Sequence, residues 1–160
     1  MNRSLCGGMA ALIVASAAWA AAPIDGAFGI QFGQTLDQVK VIESHVNQTL
    51  HNVEPPQPMS LLRFYTVETA GPQKRIYRVT GQSLTNDRTQ CLEELASVMA
   101  ILKSKYGEPN KRVDDIFRFV QGARSITASC DAEGGITSRN VYKLKVTYED
   151  LGLMEGSGAL

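Results

Sequence analysis

Val141-Tyr142-Lys143-Leu144-Lys145-Val146-Thr147-Tyr148-Glu149 alternates apolar and polar side chains without interruption. On an extended chain, Tyr142, Leu144, Val146 and Tyr148 fall on one face. Lys143, Lys145, Thr147 and Glu149 fall on the other. A period of two with one wet face predicts a strand of an antiparallel sheet that is covered on one side only. Arg124 to Cys130 repeats the pattern, with Ile126, Ala128 and Cys130 facing one way and Ser125, Thr127 and Ser129 the other. Asp115 to Val120 is a third strand, with Phe117 and Phe119 on a common face. Glu133-Gly134-Gly135 reads as the turn before the last strand.

Upstream, the period changes. Cys91, Leu95, Val98 and Leu102 recur at helical spacing, with Leu92, Met99 and Tyr106 beside them, which predicts a helix over Thr89 to Tyr106. Asn86 or Asp87 can cap its start. Gly107 and Pro109 stop it. Ser83 to Asp87 reads as a polar loop. Before that, Leu61 to Glu68 and Arg75 to Thr80 form a hairpin around Ala70-Gly71-Pro72. Thr49 to Val53 is a short strand ended by Pro55-Pro56-Gln57-Pro58. Leu36, Val39, Ile42 and Val46 fit one face of a short helix over Leu36 to His45, with Thr35 and Gln38 spaced as a capping box. Ile24 to Phe32 is extended. The expected architecture is α+β: an antiparallel sheet packed by one short and one long helix. Helix then three strands (35–80) precedes helix then three strands (88–149), an α-β-β-β pseudo-repeat in order alone.

The first 20 residues have the marks of a secretory signal: Arg3, an apolar stretch from Met9 to Ala18, and Ala18-Trp19-Ala20 before a cleavage site. The apolar run is about 10 residues, too short to span a bilayer. The expected organisation is a signal peptide at 1–20, a single domain at 21–154 and a flexible tail at 155–160. An exported chain with two remaining cysteines predicts a bridge between Cys91 and Cys130. Cys91 lies on the apolar stripe of the long helix and Cys130 on the apolar face of a strand, so the bridge would clamp one to the other.

The full chain has 16 basic and 16 acidic residues. This balance, without charged runs, argues against nucleic-acid binding. His45 and His51 lack zinc-ligand spacing and read as surface histidines. No nucleophile elbow or phosphate-binding glycine loop occurs. Glu93-Glu94, Asp114-Asp115 and Glu149-Asp150 each have an ordinary structural place at a helix start, a turn or a strand end. The expectation is no catalytic residue, no metal and no cofactor. One compositional signal remains. Arg63, Tyr65, Arg75, Tyr77 and Arg78 crowd the first hairpin, and Arg with Tyr is the composition of protein–protein hot spots.

Phe28-Gly29-Ile30-Gln31-Phe32-Gly33, Ile76-Tyr77-Arg78-Val79 and Leu102-Lys103-Ser104-Lys105-Tyr106-Gly107-Glu108-Pro109 form an ordered set. The set resembles small exported proteobacterial proteins of uncharacterised function that share FGxxFG and LxxKYGxP motifs. More distantly, the opening segment resembles that of BamE-type outer-membrane assembly lipoproteins, without their lipidation cysteine. Neither resemblance implies a catalytic residue. The expected function is that of a soluble periplasmic or secreted, non-enzymatic binding or accessory protein. It would act through an exposed sheet face on another envelope or secreted protein, with an inhibitor or immunity protein as one form. The alternatives are an envelope assembly or structural factor and, behind it, a hydrolase using an acidic pair.

Overall fold

The computed structural model describes residues 21–45, 49–133 and 141–155. The signal peptide expected at 1–20, the Gly134-Gly135 turn and the tail after Glu155 lie outside the described residues. In chain order the elements are β1 (Gly26–Ala27), β2 (Ile30–Gln31), a 3-10 turn (Leu36–Gln38), β3 (Lys40–Ser44), β4 (Leu50–Glu54), β5 (Phe64–Ala70) and β6 (Arg75–Thr85). Then come α1 (Arg88–Tyr106), β7 (Lys111–Val113), β8 (Ile116–Gln121), β9 (Arg124–Glu133), β10 (Val141–Asp150) and α2 (Leu151–Glu155). The fold is α+β, with an antiparallel sheet, one long helix and one short one.

Apart from the small β1–β2 hairpin, the strands form one eight-stranded sheet ordered β3-β4-β5-β6-β10-β9-β8-β7. It consists of two four-stranded meanders joined where β6 runs antiparallel to β10. The order repeat is therefore a turn or helix followed by four strands, not three. The additional strand in the first half lies where a short helix was expected. Leu36 to His45 makes one 3-10 turn, in which the Gln38 side chain accepts from the Thr35 amide at 3.1 Å, and then extends as β3. Val39 and Val41 both pack on the core, which is the spacing of a strand, and the β-branched run Val39, Val41, Ile42 favours that state. Ile42, next in the alternation, is exposed, and a bulge between Val41 and Glu43 sets Glu43 opposite Asn52. The other short helix, α2, occupies residues expected to end the domain. Ser83 to Thr85 continues β6 opposite β10 instead of forming a loop.

Asp87 caps α1 by accepting from the Thr89 amide at 2.8 Å, and the Gly107 amide closes its other end on the Lys103 carbonyl. Cys91, Leu95, Val98, Met99, Leu102 and Tyr106 are buried against β6, β9 and β10. Beyond α1, the first meander is covered by the N-terminal segment and the loop after β4, through Ile24, Ile30, Met59 and Leu62. Phe28 and Gly29, both at positive φ, make the two-residue turn of the β1–β2 hairpin. The Phe28 ring meets Tyr65 and Tyr148 edge-on, with centroids 5.0 and 5.7 Å away. It lies on Gly81 of β6, where an added Cβ would stand 3.0 Å from the ring and 2.6 Å from Leu62 Cδ1. A glycine at 81 is thus what lets the hairpin reach the sheet.

Cys91 and Cys130 form a disulfide with their Cα atoms 6.0 Å apart, tying α1 to β9. Two predictions follow from this packing. Gly81→Ala overfills the Phe28 contact and should lower stability by about 1–3 kcal/mol in urea unfolding; an unchanged midpoint would mean that Phe28 moves aside freely. Replacing both cysteines by alanine opens a loop with a sequence separation of 39 and should cost up to about 4 kcal/mol. The same unfolding assay reads it, and no loss would show that packing alone holds α1 in place.

Candidate functional site

The helix and the N-terminal segment cover one side of the sheet. The other side is open over most of its width, and strand register fixes what it presents. Thr66 of β5 stands opposite Thr80 of β6, Thr80 opposite Thr147 of β10, and Thr147 opposite Thr127 of β9. Asn52 extends this row on one side and Arg118 on the other. Two residues along, Glu68, Arg78, Glu149 and Ser125 form a parallel row. The hydroxyls of Thr80 and Thr147 are 3.2 Å apart.

Arg78 is the centre of the charged row. One guanidinium nitrogen donates to both oxygens of Glu68 at 2.8 and 2.9 Å, and another donates to Glu149 at 3.2 Å. Glu149 also accepts from Ser125 at 2.9 Å and from Arg118 at 3.4 Å. A β-bulge produces the cluster. Glu68 pairs with Arg78 while Thr69 pairs with Ile76, so Tyr77 is the extra residue. Ile76 and Val79 consequently both reach the core, while Tyr77 is left out of it and bonds Glu68 through its hydroxyl at 2.6 Å. This is the physical reason for the broken alternation of Ile76-Tyr77-Arg78-Val79.

The Arg/Tyr set does not form one exposed patch. Tyr65 points into the core, 7 % exposed, with its hydroxyl bonded to the Met59 amide and to the Met59 and Leu62 carbonyls. Tyr77 is buried, and Arg78 is engaged by two carboxylates. Arg75 is exposed at the β5–β6 turn, bonded to Gln73 and close to α2. Arg63 is exposed at the opposite end of the hairpin, so the arginines are spread along it. Sequence patterning misses what does lie on the open face there. Phe64 is 52 % and Ile42 68 % exposed, and with Leu50, Asn52, Thr66, Gln82 and Arg63 they line a depression of about 510 Å³. The outward position of Phe64 is readable from its alternation with Tyr65 and Val67. That of Ile42 is readable only once β3 is read as a strand, since it alternates with core-packed Val39 and Val41, whereas a helix was expected there.

The acidic pairs do not converge. Asp115 pairs with Arg88 at 3.1 Å, and Glu94 accepts from Gln90 at 2.9 Å. Glu149 and Asp150 point to opposite faces, Asp150 holding Arg124 at 2.8 Å. His51 is not a surface histidine: it is 1 % exposed, with Nδ1 2.9 Å from the Ser44 hydroxyl. Its place between core-facing Val67 and β3 follows from strand parity. Among the described residues, no group of three or more His, Cys, Asp or Glu side chains is arranged to hold a metal. No described helix is long and apolar enough to cross a membrane. Nor does any protein-family model, curated protein or solved structure match the chain.

Burial, with the Glu68 carboxylate beside it, pushes the Tyr77 hydroxyl from 10.0 up to about 12. Tyr77 stays neutral longer in the folded than in the unfolded chain. Its contribution to stability is therefore complete below pH 10.0 and disappears as the pH rises through about 12. Tyrosinate absorbance of the wild type, minus that of Tyr77→Phe, should rise only toward the upper end of that window. A Tyr77 step at the ordinary tyrosine position would show that its hydroxyl is free of Glu68.

Proposed function

We propose that this is an exported, non-enzymatic binding or accessory protein that engages a folded envelope or secreted protein through the open face of its sheet. The observation carrying this reading is the contrast between the two sides: one is sealed by α1, the hairpin and a disulfide, the other presents ordered rows of side chains to solvent. Seven strand spacings make the face about 34 Å across, and ten-residue strands at its centre run about 33 Å. Its area is on the order of 1,000 Å², where a specific interface needs about 800 Å² per partner. An inhibitor or immunity protein is one form such a binder takes.

The edges favour the face over strand addition. β7 has three residues and carries Lys111 and Arg112; β3 begins with Lys40 and is bulged at Ile42. Short, charged and bulged edges resist pairing with another chain. Export is supported by the signal-like first 20 residues together with the disulfide, a bond that persists in oxidising compartments.

Lysines mark the two sides. Lys143 and Lys145 lie on the open face, and Lys103 and Lys105 on α1. Lysine-directed cross-linking in intact cells, followed by mass spectrometry, should join a partner to Lys143 and Lys145. Cross-links confined to Lys103 and Lys105 would place the interface on the helical side and overturn the proposal.

A further inference from the structure

We infer that the trough between β3 and β6 takes an extended segment of the partner in which a large apolar side chain neighbours a carboxylate. This inference rests on the open-face reading and identifies where its affinity comes from. Across the middle of the face, the charges are already paired from within, although Arg78 Nε and Arg118 Nε are buried without a hydrogen-bond partner among the described residues. Arg78 and Arg118 hold Glu149, Arg78 also holds Glu68, and Lys143 pairs with Glu133. A partner gains little by competing with those pairs, and the threonine row beside them offers hydroxyls without an apolar anchor point.

The trough differs in both respects. Ile42, Leu50 and Phe64 give it an apolar lining, and Ile42 and Phe64 are more than half exposed, at 68 and 52 %. Its volume of about 510 Å³ accommodates one or two side chains. Arg63 stands at its border, exposed, and among the described residues no carboxylate pairs with it. Glu43, on β3, accepts from the Asn52 amide at 3.1 Å and is not among the residues lining the trough, where Arg63 is the one arginine or lysine. The polar groups lining the trough, His45, Asn52, Thr66 and Gln82, can meet the backbone of an inserted segment. An aromatic and an arginine around a concavity is the composition from which hot spots are made. Charge complementarity with Arg63 selects an acid on the partner, and the apolar lining selects a Leu, Phe or Trp beside it.

The test is selection of a displayed library of random linear peptides on the oxidised protein. Enriched peptides should carry Asp or Glu within two residues of a large apolar side chain. Arg63→Glu and Phe64→Ala should each weaken the best peptide roughly tenfold or more, while Lys105→Ala, on the helical side, leaves it unchanged. Both altered side chains are exposed, so circular dichroism and the urea midpoint should match the wild type. No enrichment, enrichment without the acid-plus-apolar pattern, or binding indifferent to Arg63→Glu and Phe64→Ala would overturn the inference. Peptides lost on Thr127→Arg but not on Arg63→Glu would overturn the trough while leaving the open face as the interface. Cross-linking to Lys143 and Lys145 decides the face independently.

Discussion

The pairing of β6 with β10, from Tyr142 opposite Thr85 to Glu149 opposite Arg78, is the junction on which both halves of the sheet depend. Each meander is built from neighbours in sequence, but only this pair joins them. Its register decides which residues meet on either side. On the core side it sets Val146 opposite Gly81 and Tyr148 opposite Val79, which creates the floor on which Phe28 lies. On the open side it sets Glu149 opposite Arg78 and Thr147 opposite Thr80. A slip by one residue would exchange these faces, putting Lys145 and Glu149 into the core. The charged row is thus as much a record of register as a surface feature: Glu68, Arg78 and Glu149 meet only when three strands are aligned.

The two halves of the core are completed differently. α1 seals the second meander with a continuous apolar stripe and a covalent bond to β9. Among the described residues, the first meander has α1 against β6 but no long helix of its own, and a hairpin, a proline-rich loop and single inserted side chains complete its cover. Phe28 therefore bridges the halves, meeting Tyr65 of β5 and Tyr148 of β10, while Tyr148 in turn meets Tyr106 of α1 at 6.4 Å. This aromatic chain explains the Phe28-Gly29 pair at the start of the domain. The glycine allows the turn and the phenylalanine fills the space above Gly81.

Where the chain obeys one period without interruption, its structure is legible in the sequence. β9, β10 and α1 have the expected faces, and the bridge between Cys91 and Cys130 follows from placing those faces together. Legibility fails at the bulges. Leu36, Val39 and Ile42 suit a helix stripe while Val39 and Val41 suit a strand, and the pairing of Val41 with Val53 settles the choice. Tyr77 and Arg78 break the alternation of β6, so the faces of an Arg/Tyr set on that hairpin cannot be counted off by parity. Tyr65 looks like a surface hot-spot residue by type, yet Val67 on the same parity carries it inward. Composition alone has no access to this.

The same logic separates rigidity from affinity on the open face. Cross-strand pairs hold the central side chains in place, so a partner meets a surface whose ordering cost has already been met during folding. The charges that supply this order are paired with one another, and an ion pair already made adds little when covered, because desolvating it opposes any new contact. Favourable surplus has to come from side chains that are exposed, apolar or unpaired. On this sheet most of those lie toward its margins, Ile42 and Phe64 on one side and Val113, Ile116 and Val120 on the other, with Leu84 at the end of β6 between them. The first group surrounds a concavity with an arginine beside it. A partner that follows the curvature of the face would take its orientation from the centre and its binding energy from that margin.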